Sequence, residues 1–126
     1  IIPEIMGDFE GKRIAIIVDD MINTGGTIEA AVTKLVEEKG IEEVHLGISH
    51  NLCTPRAMER LKKLHADYHL QSMTVTDSIP QTQGFLGLPF LSVRSLSEIL
   101  CLVINRVHHN QPVDGILHVP LIAEKA

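Results

Sequence analysis

The sequence predicts an α/β fold: a mainly parallel sheet with helices on both faces. Three observations carry this. A short apolar run (Ile14, Ala15, Ile16, Ile17, Val18) is followed by a helical pattern over residues 27–39 and then by a second strand pattern at 43–49. That strand–helix–strand spacing is the βαβ unit of parallel sheets. A third strand pattern lies at 70–76, after another helical stretch. Between the first strand and the first helix stand two carboxylates and a glycine loop, Asp19-Asp20-Met21-Ile22-Asn23-Thr24-Gly25-Gly26-Thr27. In open α/β sheets such loops lie outside the carboxyl ends of the strands, where ligands bind.

Residues 1–12 read as a lead-in: Ile2-Pro3 breaks any helix, and Gly7 and Gly11 bracket a turn. The helix at 27–39 has Ala30, Ala31, Leu35 and Val36 as its apolar face and Gly40 as its C′ residue. In the strand at 43–49, Val44, Leu46 and Ile48 share one face. His50 closes that strand; it is read either as a pocket or interface residue or as a plain turn histidine. Thr54 and Pro55 are the N-cap and first residue of the next helix. Met58, Leu61 and Leu64 line its inner face, and Arg56, Glu59, Arg60, Lys62 and Lys63 its solvated face or, alternatively, a basic nucleotide patch.

The third strand ends in the turn Asp77-Ser78-Ile79-Pro80. Asp77 is read as a ligand-edge or interface residue, or as an Asx-turn acceptor. Residues 81–87 read as a polar loop and 90–93 as a last short strand. Residues 95–109 form a helix capped by Ser95 with Glu98 as its capping-box partner. This helix is apolar nearly all round, which predicts burial or a subunit contact. His108 and His109 at its end are not expected to hold a metal, since adjacent helix positions diverge. Residues 111–126 are expected to be a docked tail or a small hairpin.

The glycine loop suits an anion. Gly25 and Gly26 can take positive φ and bring backbone N–H groups close to a ligand. The helix that follows offers unpaired N–H groups and a positive dipole end. Thr24 and Thr27 add hydroxyl donors, while Asp19 and Asp20 accept from sugar hydroxyls or metal-bound water. Hydroxyls at one end and phosphate at the other describe a sugar phosphate. Successive strand residues face opposite sides, so the two aspartates are expected to differ in role unless the strand has ended before them. The loop lacks the lysine of a P-loop and the G-x-G-x-x-G spacing, and an EF-hand reading fails at Met21. The plain alternative is a tight strand–helix turn with an acidic cap.

The length of 126 residues, with 44% hydrophobic and 21% charged residues, fits one globular domain over residues 1–126. The net charge of −5 argues against a nucleic-acid or membrane-surface role. It also implies that a phosphate would be held by backbone and dipoles rather than by a basic patch. Cys53 and Cys101 are expected to be buried free thiols. No apolar run of roughly 18 residues is present, and a soluble cytoplasmic protein is expected.

Residues 18–27 resemble the ribose-5-phosphate loop of type I phosphoribosyltransferase folds, and more specifically that of the ribose-phosphate pyrophosphokinase (phosphoribosyl pyrophosphate synthetase) family. Gly7-Asp8-Phe9-Glu10-Gly11-Lys12, Ser49-His50, Val75-Thr76-Asp77-Ser78-Ile79-Pro80 and Arg106-Val107-His108-His109-Asn110 are similar to that family's segments in the same order. Asn23 stands where the family often has Asp. The resemblance implies a partial phosphoribosyltransferase-like domain, the C-terminal portion of a longer chain. It assigns ribose-5-phosphate binding to Asp19, Asp20, Asn23, Thr24, Gly25, Gly26 and Thr27, and no metal ligand. The family activity makes phosphoribosyl pyrophosphate from ATP and ribose 5-phosphate with Mg²⁺, in homo-oligomers. The family's catalytic Lys/Arg loop is expected upstream, so the chain alone is expected to be inactive. Alternatives are a non-catalytic regulatory relative of the synthetase and another phosphoribosyltransferase.

Overall fold

In the computed structural model, which describes residues 5–117, the apolar run at Ile14 opens strand β1 (Ile14–Ile22). Helix α1 (Gly26–Lys39) follows and ends where expected, with Gly40 in the left-handed region at φ 68° and its N–H bonded to the Leu35 carbonyl. Strand β2 (Glu43–Asn51) leads to helix α2 (Pro55–Asp67). The Thr54 hydroxyl caps α2 by accepting from the Ala57 N–H at 3.2 Å, with Pro55 in the first turn. Strand β3 (Leu70–Thr76) has the expected bounds. Helix α3 (Gln83–Leu86) and strand β4 (Leu91–Arg94) complete this part. Helices α4 (Ser97–His108) and α5 (Asp114–Leu117) lie beyond it. The chain divides after Arg94 into two compact units.

The first unit is built on a four-stranded sheet in the order β1-β2-β3-β4, every neighbouring pair parallel. The α/β class is as expected. Val44, Leu46 and Ile48 of β2 share one core with Ile28, Val32 and Leu35 of α1 and with Ala57, Leu61 and Leu64 of α2. In β3, Leu70, Met73 and Val75 are all buried, although Leu70 and Met73 are three apart. The register slips between Val44 and His45, and the extra residue on β3 restores Met73 to the core side. The helices of this unit lie on that face, and the expected helix cover of the second face is not seen in it. On the other face, Ile14, Ile16 and Val18 alternate outward and are 58%, 73% and 79% exposed.

Several local expectations are corrected. Residues 81–87 are not a plain polar loop. Thr82 caps α3 by accepting from the Phe85 N–H, and Phe85 is fully buried. A four-residue helix is too short to write a 3.6-residue period into the sequence. In α1, Ile28 and Val32 are buried, whereas Ala30, Ala31 and Val36 are half-buried.

In the second unit the helix starts two residues later than expected, at Ser97, and Leu96 occupies the N-cap. Ser95 accepts from the Ser97 N–H at 3.2 Å, a local turn that replaces the expected capping box. No residue of α4 is buried. Ile104 and Val107 are more than 60% exposed. Cys101 is therefore exposed rather than buried, while Cys53 is half-buried, and both thiols are free. Ile116 of α5 is buried. Of the tail, Val119, Leu121 and Ile122 lie outside the described residues. Among the described residues no helix is long and apolar enough to cross a membrane.

Candidate functional site

Strand β1 does not stop before the carboxylates. It runs through Asp19 and Asp20 to Ile22, which is 1% exposed and anchors the strand end in the core. The turn at residues 23–25 then reverses the chain. Gly25 sits at φ 75°, a left-handed conformation that a side chain would strain. Residues 19–28, an unbroken stretch, line an open pocket of about 390 Å³. Both aspartates contribute to it, although they occupy successive strand positions. They differ in setting: Asp19 is half-buried and accepts the Asp20 N–H through Oδ1 at 2.8 Å, and Asp20 is exposed.

The beginning of α1 is arranged to donate. No side chain caps it, in contrast to α2 and α3. Its first-turn N–H groups have no intrahelical acceptor and lie at the positive end of the dipole. The loop's carbonyls are taken by protein donors. Asn23 O accepts from the Thr54 hydroxyl, Thr24 O from Arg60 Nη1 at 2.7 Å, and Gly25 O from the Glu29 N–H at 2.8 Å. Thr24 and Thr27 are exposed in the same pocket. The lining contains two carboxylates and no cationic side chain. Such a pocket can hold hydroxyls on carboxylates and an anion on backbone donors.

Arg60 lies behind the loop. Besides its bond to Thr24 O, its Nε contacts Glu29 Oε2 at 2.8 Å, and Lys63 Nζ reaches Glu29 Oε1 at 3.1 Å. The hydrogen bond to Glu29, then its charge, raises the Lys63 pKa above its ordinary value.

His50 and Asp77 are placed elsewhere. His50 lies within β2, opposite Met21, with Nδ1 at 2.7 Å from Ser78 Oγ. The Thr76 and Ser78 hydroxyls both donate to Ser49 O, at 2.6 and 3.0 Å, closing the β2–β3 edge with polar groups. The Asp77 N–H donates to Arg94 O at 3.1 Å. Neither His50 nor Asp77 lines the pocket. Among the described residues, no group of three or more His, Cys, Asp or Glu is placed to hold a metal ion.

The family model for the phosphoribosyl synthetase-associated domain matches residues 3–117. The chain belongs to that family. Ribose-phosphate pyrophosphokinase of Rhodopirellula baltica is 41% identical over 107 residues, covering 85% of this chain and 32% of that protein. The protein of the same description from Chromobacterium violaceum is 32% identical over 122 residues, covering 97% of this chain and 36% of that one. Among solved structures, phosphoribosylpyrophosphate synthetase from Mycobacterium smegmatis matches with a TM-score of 0.70 at 35% identity, over 83% of this chain and 33% of that chain. The chain thus spans about one third of the length of these relatives.

Within this phosphoribosyl synthetase-associated domain, the sequence placed residues 19, 20 and 23–27 together, and the fold brings all of them to one pocket. It missed Arg60 and the second role of Thr54. In sequence Arg60 falls with the solvated face of its helix, among the charged residues Arg56, Glu59, Lys62 and Lys63. The adjacent pair Gly25 and Gly26 leaves room beside the loop but does not by itself point to Arg60. A Cβ on Gly26 would come within 3.2 Å of Arg60 Nη1, so the pair lets a long side chain lie across the loop.

Proposed function

We propose that the pocket binds ribose 5-phosphate, and that the chain is the C-terminal, type I phosphoribosyltransferase-like part of a ribose-phosphate diphosphokinase. That activity transfers a diphosphoryl group from ATP to the sugar's anomeric hydroxyl. The observation that carries the reading is the pocket's polarity: carboxylates at one end and an uncapped helix N-terminus at the other, with no cation between. Asp19 and Asp20 accept the ribose hydroxyls. The N–H groups of the 24–27 loop, with the Thr24 and Thr27 hydroxyls, take the 5-phosphate. The order of the two ends along β1 and α1 keeps the phosphate away from the carboxylates that would repel it.

Mg²⁺, when bound, would supply charge neutralisation for the transferring phosphates. Its bound water would donate to carboxylate oxygens, and Asp19 and Asp20 are the residues here that would accept those bonds. Diphosphoryl transfer depends on positioning and on charge stabilisation. The lining positions the sugar phosphate but offers no Lys or Arg for the transferring group. We therefore assign binding to this chain and activation to residues outside it. The same absence supports a second reading, a regulatory relative that binds the sugar phosphate without turnover. Oligomerisation as a homo-oligomer and a cytoplasmic location belong to the same proposal.

Titration calorimetry of the chain with ribose 5-phosphate, ribose and inorganic phosphate tests the binding. Ribose 5-phosphate is expected to bind more tightly than either part. Asp19→Asn should weaken it by about 10- to 100-fold, the loss of hydrogen bonds to a charged acceptor. Equal affinity for all three, or none for any, contradicts the reading. Formation of phosphoribosyl pyrophosphate from ATP by the isolated chain would contradict the division between binding and activation.

A further inference from the structure

We propose that Arg60 and Thr54, both supplied by the α2 segment, are positioning residues for the phosphate loop, acting through its carbonyls rather than through the ligand. The proposal rests on the ribose-5-phosphate reading for its ligand and on bonds internal to the protein for its geometry. A peptide plane that points its carbonyl one way points the next residue's N–H the other way. The carbonyl of Asn23 is held by the Thr54 hydroxyl and that of Thr24 by Arg60 Nη1 at 2.7 Å. Those two peptide planes carry the N–H groups of Thr24 and Gly25. Fixing the carbonyls against α2 therefore fixes the direction of two loop donors.

The fixation matters because the loop has little else to hold it. Gly25 and Gly26 have the widest conformational freedom of any residues, and α1 has no side-chain cap. A flexible donor loop loses entropy when it orders around an anion, and that loss subtracts from affinity. Arg60 is itself held. Its Nε is bonded to Glu29 Oε2 at 2.8 Å, so one planar guanidinium ties the loop to the first turn of α1. Gly26 lets it come close, since a Cβ there would stand 3.2 Å from Nη1. Lysine has the charge but not the fork, and cannot make both bonds in one plane. Thr54 has two uses for one hydroxyl: it donates to Asn23 O and accepts the Ala57 N–H that begins α2. The sugar loop and the α2 N-cap are thereby one hydrogen-bonded unit.

The test compares Arg60→Met, Arg60→Lys, Thr54→Val and Thr54→Ser in the intact 126-residue chain, with two readouts. The first is ligand-free: ¹⁵N relaxation of the amides at residues 23–27. Arg60→Met should make these amides more mobile while α2 and the sheet keep wild-type values; Thr54→Val should mobilise the loop together with the first turn of α2, whose cap it removes, and Thr54→Ser should restore order at both. The second is a titration with ribose 5-phosphate and with ribose. Arg60→Met should weaken ribose 5-phosphate at least about fivefold and leave ribose unchanged, with Arg60→Lys nearer to Met than to wild type. Unchanged loop relaxation in both Arg60→Met and Thr54→Val overturns the proposal, whatever the ligand does. Equal losses for ribose and ribose 5-phosphate also overturn it, since they indicate general damage. If the wild-type chain ignores ribose 5-phosphate, the ligand reading falls, and loop relaxation alone decides whether the two residues position the loop.

Discussion

Gly25 shows how much a single residue can carry. Its φ of 75° lets β1 turn into α1 within three residues, and a Cβ there would meet nothing nearer than 3.6 Å. The position is thus limited by backbone conformation and not by space. Gly25→Ala should cost about 1–2 kcal/mol, the penalty of a left-handed alanine, read as a lower urea midpoint at unchanged slope. The glycine was legible because its neighbours were: an apolar strand before it and a helical period after it leave few ways to turn. Arg60 was not legible. Nothing in its helix distinguishes it from Arg56 or Lys62, and its partner Thr24 O lies 36 residues away on a backbone carbonyl that no sequence pattern marks. Asp19 and Asp20 fall between these cases. Their presence at the site was readable, whereas the strand's continuation through both of them depended on pairing with β2 out to Asn51.

At the scale of elements, long periodic segments declared themselves and short ones did not. The alternation of Val44, Leu46 and Ile48 places β2, and Thr54-Pro55 with Gly40 punctuates the two long helices. The bulge in β3 and the single-turn helix α3 were hidden, because each is decided by packing over a few residues. Phe85 makes the case for α3. It is fully buried and Leu86 beside it is 51% exposed. Phe85→Ala should therefore destabilise the chain by about 3–5 kcal/mol in denaturant unfolding. Leu86→Ala should stay within about 0.5 kcal/mol. Comparable effects of the two would mean that α3 is not part of the core. The expected capping box of α4 failed for a related reason: Ser95 has a nearer acceptor role in its own turn, two residues on.

On the scale of the whole molecule, the chain carries a parallel sheet whose helix-covered face is well packed and whose β1 side exposes Ile14, Ile16 and Val18. Exposed apolar residues in a row along an edge strand mark a surface that other proteins or other segments cover. The relatives in which this sequence recurs are about three times as long. The site divides in the same sense: its lining offers carboxylates and backbone donors, without cationic side chains. In the proposed function, the phosphate is held by the backbone of the loop between β1 and α1. Amide chemical-shift mapping of the ¹⁵N-labelled chain during titration with ribose 5-phosphate tests it most directly. The largest shifts are expected on the amides of Thr24, Gly25, Gly26 and Thr27, with smaller ones at Asp19 and Asp20. Shifts centred elsewhere, such as on α4, or no shifts at all, would contradict it.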